Sequence, residues 1–546
     1  MATRADTANS PQSSNSTWAP FRNEVFRALW IAVLVSNIGD WMQTVGAQWL
    51  MVDQPHASTL VALVQTADML PTLLVILPAG VLADTLDRRW LLITLQGVMI
   101  VAGIALTILT IAGQMTPPLL LLFTFILGAA SSASTPAYQA TIPEIVPRAQ
   151  VPAASALGSI SINLARAVGP AIAGVLIART SVGVVFGLNT LTFLVFGLVV
   201  LLWRPPAATR GATPEPFVAA LRAGERYVRY APVVRRILVR SALFLIPASA
   251  LWALLPVVAN QRLGMSANGY GLLLGALGVG AVLGAFLLPR IRARLSTNTM
   301  LIAASVIYAA GLVVLVVVRN PAVILIALIP TGIAWIAVLA TINATLQLFL
   351  PTWVRARGLS VYQMVLFGSQ AVGALLWGLV AEPLGLVTVF LVAAALMLAG
   401  LATLSFWPLL DTSRTDRSHV AFWPEHHLIL EPEPESGPVI VTVSYTITPE
   451  NEQRFFDAMG WLRRSRMRTG ASQWGLFRDG ETARRFVEFF VVPSWEEHLR
   501  QGSDRLTGMD RQNEERADAL SDPPPQTAHY LAVDMRGERP GALAGP

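Results

Sequence analysis

No cysteine and no lysine occur in this chain of 546 residues, and only 13% of its residues are charged. Without cysteine there are no disulfides, no thiolate metal ligands and no cysteine nucleophile. Without lysine there is neither a P-loop lysine nor a Schiff-base amine, so ATP hydrolysis by the Walker route is excluded and any transport must draw on a gradient or on another subunit. The shortage of charge excludes more: a soluble chain normally carries about a quarter charged residues. An ordinary soluble enzyme and a disordered scaffold are both ruled out. What is present is apolar, at 54% hydrophobic, and all 39 basic residues are arginine. Residues Met1 to Pro20 are polar, rich in Ser, Thr and Asn, and contain no short apolar core of a secretory signal.

Apolar runs of about 20 residues, the length that crosses a hydrocarbon core of about 30 Å, fall near 26–50, 58–83, 90–111, 117–141, 152–178 and 183–203. A second set falls near 237–259, 268–289, 298–318, 321–348, 358–380 and 384–408. The predicted fold class is an all-α polytopic membrane protein of twelve transmembrane helices in two six-helix halves. A polar N-terminus (1–25) precedes the first half (26–203), a linker (204–236) the second half (237–408), and a further linker (409–437) a C-terminal domain (438–535) with a short tail (536–546). With the N-terminus inside, nineteen arginines collect in inner segments and only Arg179, Arg262 and Arg319 in outer loops. The bias puts both termini in the cytoplasm, with the helices in the inner (cytoplasmic) membrane.

The second set repeats the first at an offset of 204 residues: Gly80 falls on Gly284, Arg88 on Arg292, Gln139-Ala140-Thr141 on Asn343-Ala344-Thr345, Pro147 on Pro351, Gly169 on Gly373 and Gly174 on Gly378. One such match would be coincidence among glycine-rich helices. Several at one offset, in loops as well as spans, describe parallel repeats with the substrate site between them near the midplane. The stretch between the halves is Pro-rich and then basic, a surface linker with an amphipathic helix beside anionic headgroups.

Between the second and third spans stands Gly80-Val-Leu-Ala-Asp84-Thr85-Leu-Asp87-Arg88-Arg89. A small residue for close helix approach, carboxylates at a helix end and an arginine pair make a latch for one side of a rocking bundle. This stretch resembles the loop signature of the major facilitator superfamily, although that pattern has a basic residue where Thr85 stands and glycine where Asp87 stands. The Asp-x-x-Asp-Arg-Arg form is similar to the transmembrane secretion effector branch, which includes siderophore exporters. Ser36-Asn-Ile-Gly39, Trp41-Met-Gln43, Trp49-Leu-Met51, Leu77-Pro-Ala-Gly80 and Trp353-Val-Arg355-Ala-Arg357 extend the resemblance over about residues 20–410. It implies a secondary transporter whose cytoplasmic gate contains Gly80, Asp84, Asp87, Arg88 and Arg89. In the fifth span, Ala165-Arg166-Ala-Val-Gly169-Pro170-Ala-Ile-Ala173-Gly174 is similar to the antiporter motif of that superfamily, with Ala165 and Ala173 replacing two of its glycines. Gly169, Pro170 and Gly174 then form a packing face that favours export, and plain helix packing is the alternative.

Three ionisable residues lie well inside the spans: Asp40, Asp68 and Arg166. At a rise of about 1.5 Å per residue they sit roughly 20–24 Å from the cytoplasmic helix ends, at one depth. Charge at that depth is costly, which makes each a functional candidate. We expect an ion-pair cluster in which movement of Arg166 lets an aspartate bind or release a proton, as in proton-coupled antiport. A static pair holding helices together is the alternative. Asn37, Asp40, Thr44 and Gln48 recur at helical spacing and Gln65 shares the face of Asp68, so these line the expected cavity. In the second half Asn343, Gln347, Gln363 and Gln370, with Trp252, Trp335 and Trp377, offer a mostly apolar and aromatic wall suited to an amphipathic solute. The tryptophans fit lipid-facing belts equally well.

After Leu410 charges return. Strand and helix signals read as βαββαβ: strands at 439–448, 472–477, 485–492 and 527–533, helices at 449–468 and 494 to about 520, and a hairpin signal at Asp479-Gly480. That is the order of a ferredoxin-like unit. Ser494-Trp-Glu-Glu-His498 resembles small antibiotic-biosynthesis monooxygenase-like domains, which commonly pair their sheets, and the likeness implies a homodimer. His498, expected on an exposed helix surface, and Trp461, Trp474 and Trp495 are the only candidates for chemistry. No nucleophile triad, metal spacing or nucleotide loop accompanies them, so the chain reads as no enzyme, with no cofactor and no metal. An exporter fused to a small cofactor-independent monooxygenase is the alternative, and a non-transporting receptor fits the latch and repeat less well. The expected partners are a small-molecule substrate, protons and the bilayer, with no nucleic acid, because the basic excess is lipid-facing arginine.

Overall fold

Among the described residues, twelve helical spans follow from caps and breaks. The computed structural model describes residues 18–204, 225–408, 423 and 432–533, with backbone alone at 76–85, 352, 356 and 405. The Asn23 side chain accepts from the N–H groups of Val25 and Phe26 and starts α1 (Glu24–Leu50). Then come α2 (Ala57–Thr85), α3 (Arg88–Ile111), α4 (Pro117–Ile145), α5 (Val151–Arg179) and α6 (Val182–Leu202). Proline near the first positions of α4 and α5 loses no intrahelical bond there. The second set is α7 (Pro232–Val257), α8 (Ala267–Arg292), α9 (Thr297–Val317) and α10 (Pro321–Phe349). A run from Thr352 to Phe406 then stays helical except at Gly385, with φ 77° and ψ 155°. Such a φ suits glycine, and Pro383 two residues earlier weakens the helix ladder. The break divides the run into α11 before Gly385 and α12 after it, each of membrane-crossing length. Side chains such as Phe286, Val101 and Ile326, each about 70% exposed, face outward, as a lipid solvent permits.

The chain forms two compact units. The first is the helical bundle, in which α2 packs on α4, α3 on α6, and α1 on both α5 and α6. Apolar burial gives helices little reason to associate in lipid, so their contacts rest on small residues that let backbones approach. The two halves meet along α5 and α8. A Cβ placed on Gly174 would stand 2.8 Å from the Ala267 carbonyl oxygen and 3.1 Å from the Gly271 Cα; one on Gly278 would stand 2.4 Å from the Ala167 Cα. A Cβ on Gly378 of α11 would stand 2.2 Å from that of Ala62 on α2. The 204-residue repeat relates these two seams, α5 against α8 and α11 against α2.

The second unit contains the sheet domain, the 225–231 stretch leading to α7, and the turn between α10 and α11. Strands β1 (Val439–Thr446), β2 (Gln473–Arg478), β3 (Arg485–Val492) and β4 (Gln526–Leu531) form one antiparallel sheet in the order β2-β3-β1-β4. Helices α13 (Glu452–Thr469), α14 (Trp495–Arg500) and α15 (Gly508–Asp518) complete the domain. This is the ferredoxin-like order. Phe455, Met459 and Leu462 of α13 fill a core with Val443, Tyr445 and Phe486. The sequence suggested one helix from 494 to about 520, but the structure divides it. Gln501–Arg505 forms a π turn, and Thr507 accepts from α15 in a capping box with Asp510. That local cap competes with helix continuation and wins.

His498 departs from expectation. The helix surface was its predicted place, yet it is 1% exposed, 5.3 Å from the Trp495 ring and 5.4 Å from that of Trp423, with its Nε2 3.1 Å from Nε2 of His529. A sequence reading of α14 cannot see Trp423, far away in the chain, closing over it. Asp518, at the end of α15, is half-buried; burial and then the neighbouring Glu514 push its carboxyl up to about 7. The folded state therefore holds a proton that the unfolded chain, titrating near 3.8, releases. Stability of the domain should fall as pH rises from about 4 to 7 and stay low above. At pH 8, Asp518→Asn should stabilise it by roughly 1 kcal/mol, given solvent screening. Amide hydrogen exchange of β1 and β3 in the full chain, corrected for intrinsic rates, measures both effects.

Candidate transport site

The bundle has a terminal side, where α1 starts and α12 ends, and a far side. On the terminal side, Asp87 caps α3, accepting from the N–H groups of Arg89 and Trp90 at 2.9 and 3.1 Å. Arg88 donates to the Ala140 carbonyl at 3.2 Å and pairs with Glu144 on α4, while Arg89 donates to the Val200 and Leu201 carbonyls at 3.4 and 2.6 Å at the end of α6. Both guanidinium groups therefore sit on helix C-termini, where unpaired carbonyls and the dipole favour cations. The side chains of Gly80 and Asp84 lie outside the described residues. In the second half Arg292, the repeat partner of Arg88, donates to Thr341 at 3.2 Å.

On the far side, polar contacts join the two halves. His56 and Glu382 are 2.7 Å apart, Asn260 donates to Asp53 at 3.4 Å, and Thr59 donates to the Gly378 carbonyl at 3.3 Å. His56 holds the Glu382 carboxyl below its ordinary range through that contact, with Thr59 adding to it. His56 and Glu382 border an opening of about 800 Å³ lined also by Arg262 and Arg319. Deeper, Gln48 donates to Gln65 at 3.0 Å and accepts from the Tyr270 hydroxyl, so the amides of α1 and α2 meet α8 in a buried cross-half contact. Of the expected lining residues, Gln48 and Gln65 are thus closed in by this seam. Asn37 donates to Ser161 on α5 at 3.2 Å, and the Thr44 hydroxyl bonds its own helix at the Asp40 carbonyl. Gln370 bonds back to the Leu366 carbonyl at 3.4 Å, and Asn343 is half-buried in α10. Toward the terminal side, Ser155 and Ser159 of α5 are exposed.

Asp40 and Asp68 stand near enough to interact electrostatically, and Asn189 of α6 approaches Asp40. Asn189 was not singled out from the sequence, although an amide in so apolar a helix was a signal. It is fully buried, donates to Gln43 at 2.7 Å and accepts from Thr192 at 2.9 Å. A Cβ on Gly39 would stand 2.1 Å from its Oδ1, so this position of α1 must be glycine for Asn189 to reach the aspartates' level. Arg166 does not pair with either carboxylate among the described residues. Its guanidinium lies 5.4 Å over the Trp41 ring, and its Nε has no hydrogen-bond partner among them. Trp41 in turn lies 6.0 Å from Trp252, and Trp252 5.3 Å from Trp335. The aromatic residues expected as a wall thus form a ladder from the charged cluster into the second half. Trp377 is buried, its indole N–H donating to the Ile246 carbonyl at 2.7 Å.

The antiporter-like residues divide between two neighbours. A Cβ on Gly169 would stand 2.6 Å from Trp41 Cβ on α1, whereas Gly174 faces α8 across the seam. Pro170 lies inside α5, and its ring leaves the Arg166 carbonyl without its usual helical donor.

A sequence profile described as "Transmembrane secretion effector" matches residues 15–537, both helical halves and the whole sheet domain. The staphyloferrin A transporter of Staphylococcus aureus is 25% identical over 357 residues, 65% of this chain and 88% of that protein. The multidrug efflux pump Tap of Mycobacterium tuberculosis is 28% identical over 394 residues, 66% of this chain and 88% of its own. Among solved structures, nucleoside transporter NupG superposes with a TM-score of 0.57 at 14% identity, covering 70% of this chain and all of that one. A bacterial homologue of the human lysosomal transporter Spinster, in an inward-facing unoccupied conformation, gives 0.55 at 15% identity, covering 71% and 95%. At such identities these two likenesses speak to the fold alone.

Proposed function

Because the chain belongs to the transmembrane secretion effector family of the major facilitator superfamily, we propose that it is a proton-coupled exporter of a small organic solute, seated in the cytoplasmic membrane with both termini in the cytoplasm. It is a multi-pass membrane transporter, and its family and relatives are transporters rather than enzymes. The observation that carries the coupling proposal is the Asp40–Asp68 pair deep in the first half, with Arg166 parked on Trp41 instead of neutralising it. Two carboxylates within electrostatic reach of each other in a low-dielectric site do not both stay ionised easily, so one of them is the natural proton carrier. Swinging Arg166 off Trp41 toward the pair would expel that proton. Polar contacts joining the halves on the far side, and exposed serines of α5 on the terminal side, support a state open to the cytoplasm. The relatives named for staphyloferrin A and for multiple drugs support an amphipathic organic solute, siderophore, drug or secondary metabolite, for which an aromatic ladder beside acids is a fitting wall.

The sheet domain supports a homodimer. Its face away from α13 presents Ile440, Phe477, Phe489, Val491 and Tyr530, and Gly475 leaves room for Phe477 and Phe489 to stack at 5.5 Å. An apolar sheet face of this kind is suited to a second copy of the same chain.

The test uses the absence of cysteine. Single cysteines at Asn320 and at Glu450 should react with a membrane-impermeant maleimide in intact cells at the first position and only after permeabilisation at the second. In proteoliposomes an imposed pH gradient should drive uptake of ethidium as probe solute. Labelling of Glu450→Cys in intact cells, or ethidium uptake indifferent to the gradient, would sink the topology or the coupling respectively.

A further inference from the structure

The second unit joins three stretches that are remote in sequence, and the Glu497 carboxylate lies at their junction. Glu497 of α14 accepts two hydrogen bonds from Arg505, at 2.5 and 2.9 Å, and a third from Arg226, at 3.3 Å. Arg226 belongs to the stretch entering α7, the chain that links the two helical halves. The π turn at Gln501–Arg505 brings Arg505 back beneath α14, where it also donates to the Thr469 carbonyl at 2.9 Å. Inserted turns of this type recur at functional positions. The Arg505 guanidinium covers the Trp353 ring at 4.8 Å, and Trp353 stands at the start of α11. Tyr227, next to Arg226 and 2% exposed, sets its ring edge-on to Trp353 at 5.7 Å and receives the Arg468 guanidinium at 5.7 Å. Arg468 is anchored from below by Asp510. Tyr230 packs against the sheet-domain core formed by Val439, Val441, Phe490 and Trp495.

We propose that the sheet domain is a clamp that binds the inter-half linker to the turn before α11, with Glu497 as its fastening. The Arg505–carboxylate contact is bidentate and mostly buried, the strong form of this interaction. Arg505 and Arg226 both donate to Glu497, so removing the acid takes away the bond that ties the linker to α14. Neutralising Arg226 removes the linker's bond without touching the Glu497–Arg505 pair inside the domain. A tail fastened in this way reaches the two places where the chain must flex as the halves rock, the linker and the α10–α11 turn. Opening or closing of the clamp then sets how freely the transporter cycles.

The experiment uses the full-length chain in nanodiscs with Glu225→Cys and Asp457→Cys, the only two thiols, carrying spin labels. Both positions are exposed, one beside Arg226 and one on α13. A narrow distance distribution is expected for this parent, broadened by Glu497→Gln and also by Arg226→Gln combined with Trp353→Ala. The second variant leaves the domain's internal pairs intact and so separates release from unfolding. Ethidium transport in proteoliposomes should change at least threefold in both variants. A broad distribution in the parent, or a narrow one in both variants, would overturn the clamp. The spin-label result does not require that transport be proton-coupled, so the two proposals fail separately.

Discussion

Asp40→Asn and Asp68→Asn, each made alone, are expected to lower proton-driven accumulation of solute at least tenfold while leaving solute-for-solute exchange within about twofold of the parent. The amide preserves the size and most hydrogen-bonding capacity of the carboxyl, so the contact of Asn189 with position 40 and the packing of Gly128 against the Asp68 carbonyl oxygen survive. What is lost is the ability to hold a proton in one state and give it up in another. Exchange needs only the binding site and the rocking motion; accumulation against a gradient needs the proton as well. Measuring both in the same proteoliposomes separates a coupling residue from a binding residue. If the pair merely held helices together, the two activities would fall in parallel or not at all. Arg166→Gln should give an intermediate pattern, because solute still binds but nothing displaces the proton.

A second large effect is expected at the seam. Replacing Gly271 with valine should lower both accumulation and exchange at least tenfold, and Gly174→Val should do the same. A Cβ on Gly271 would lie 2.6 Å from the Pro170 carbonyl oxygen and 3.0 Å from the Gly174 Cα, backbone atoms that cannot turn aside. Overpacking typically costs about 1–3 kcal/mol, too little to prevent assembly but enough to wedge α5 from α8. The contact is backbone against backbone, so no rotamer change relieves it. Gly158→Ala on α5, the helix of Gly174, is the control: open space surrounds that Cβ, and transport should be unchanged. Retention times in size-exclusion chromatography check assembly; equal activity in the Gly271 and Gly158 variants would remove the seam from the mechanism.

The spans were legible because each is a problem of length and solvent, settled within about 20 consecutive residues. The order of the sheet domain was legible because alternation and turn residues are local. Side-chain partnerships were not. Helical spacing put Asp40, Asp68 and Arg166 at one depth, and depth is what a rise per residue can specify. Whether Arg166 faces a carboxylate or the neighbouring Trp41 depends on the rotation of α5 against α1, set by Gly169 in contact with Trp41 Cβ. His498 was misplaced for a similar reason: its burial depends on Trp423, Phe490 and His529, none of them on its own helix. Arg226, Glu497 and Trp353 are unremarkable in sequence and acquire meaning only through their meeting.

The turn at Gly385 has a mechanical consequence. Because α11 passes into α12 through a single non-helical residue, the two helices have no slack between them, and Arg240 fastens the other end of α12 by donating to the Gly400 and Trp407 carbonyls at 2.8 and 2.7 Å. Glu382 sits three residues before that turn. The His56–Glu382 contact at the rim is therefore shared by a pair of helices at once: whatever holds or frees position 382 reaches α12 as directly as α11.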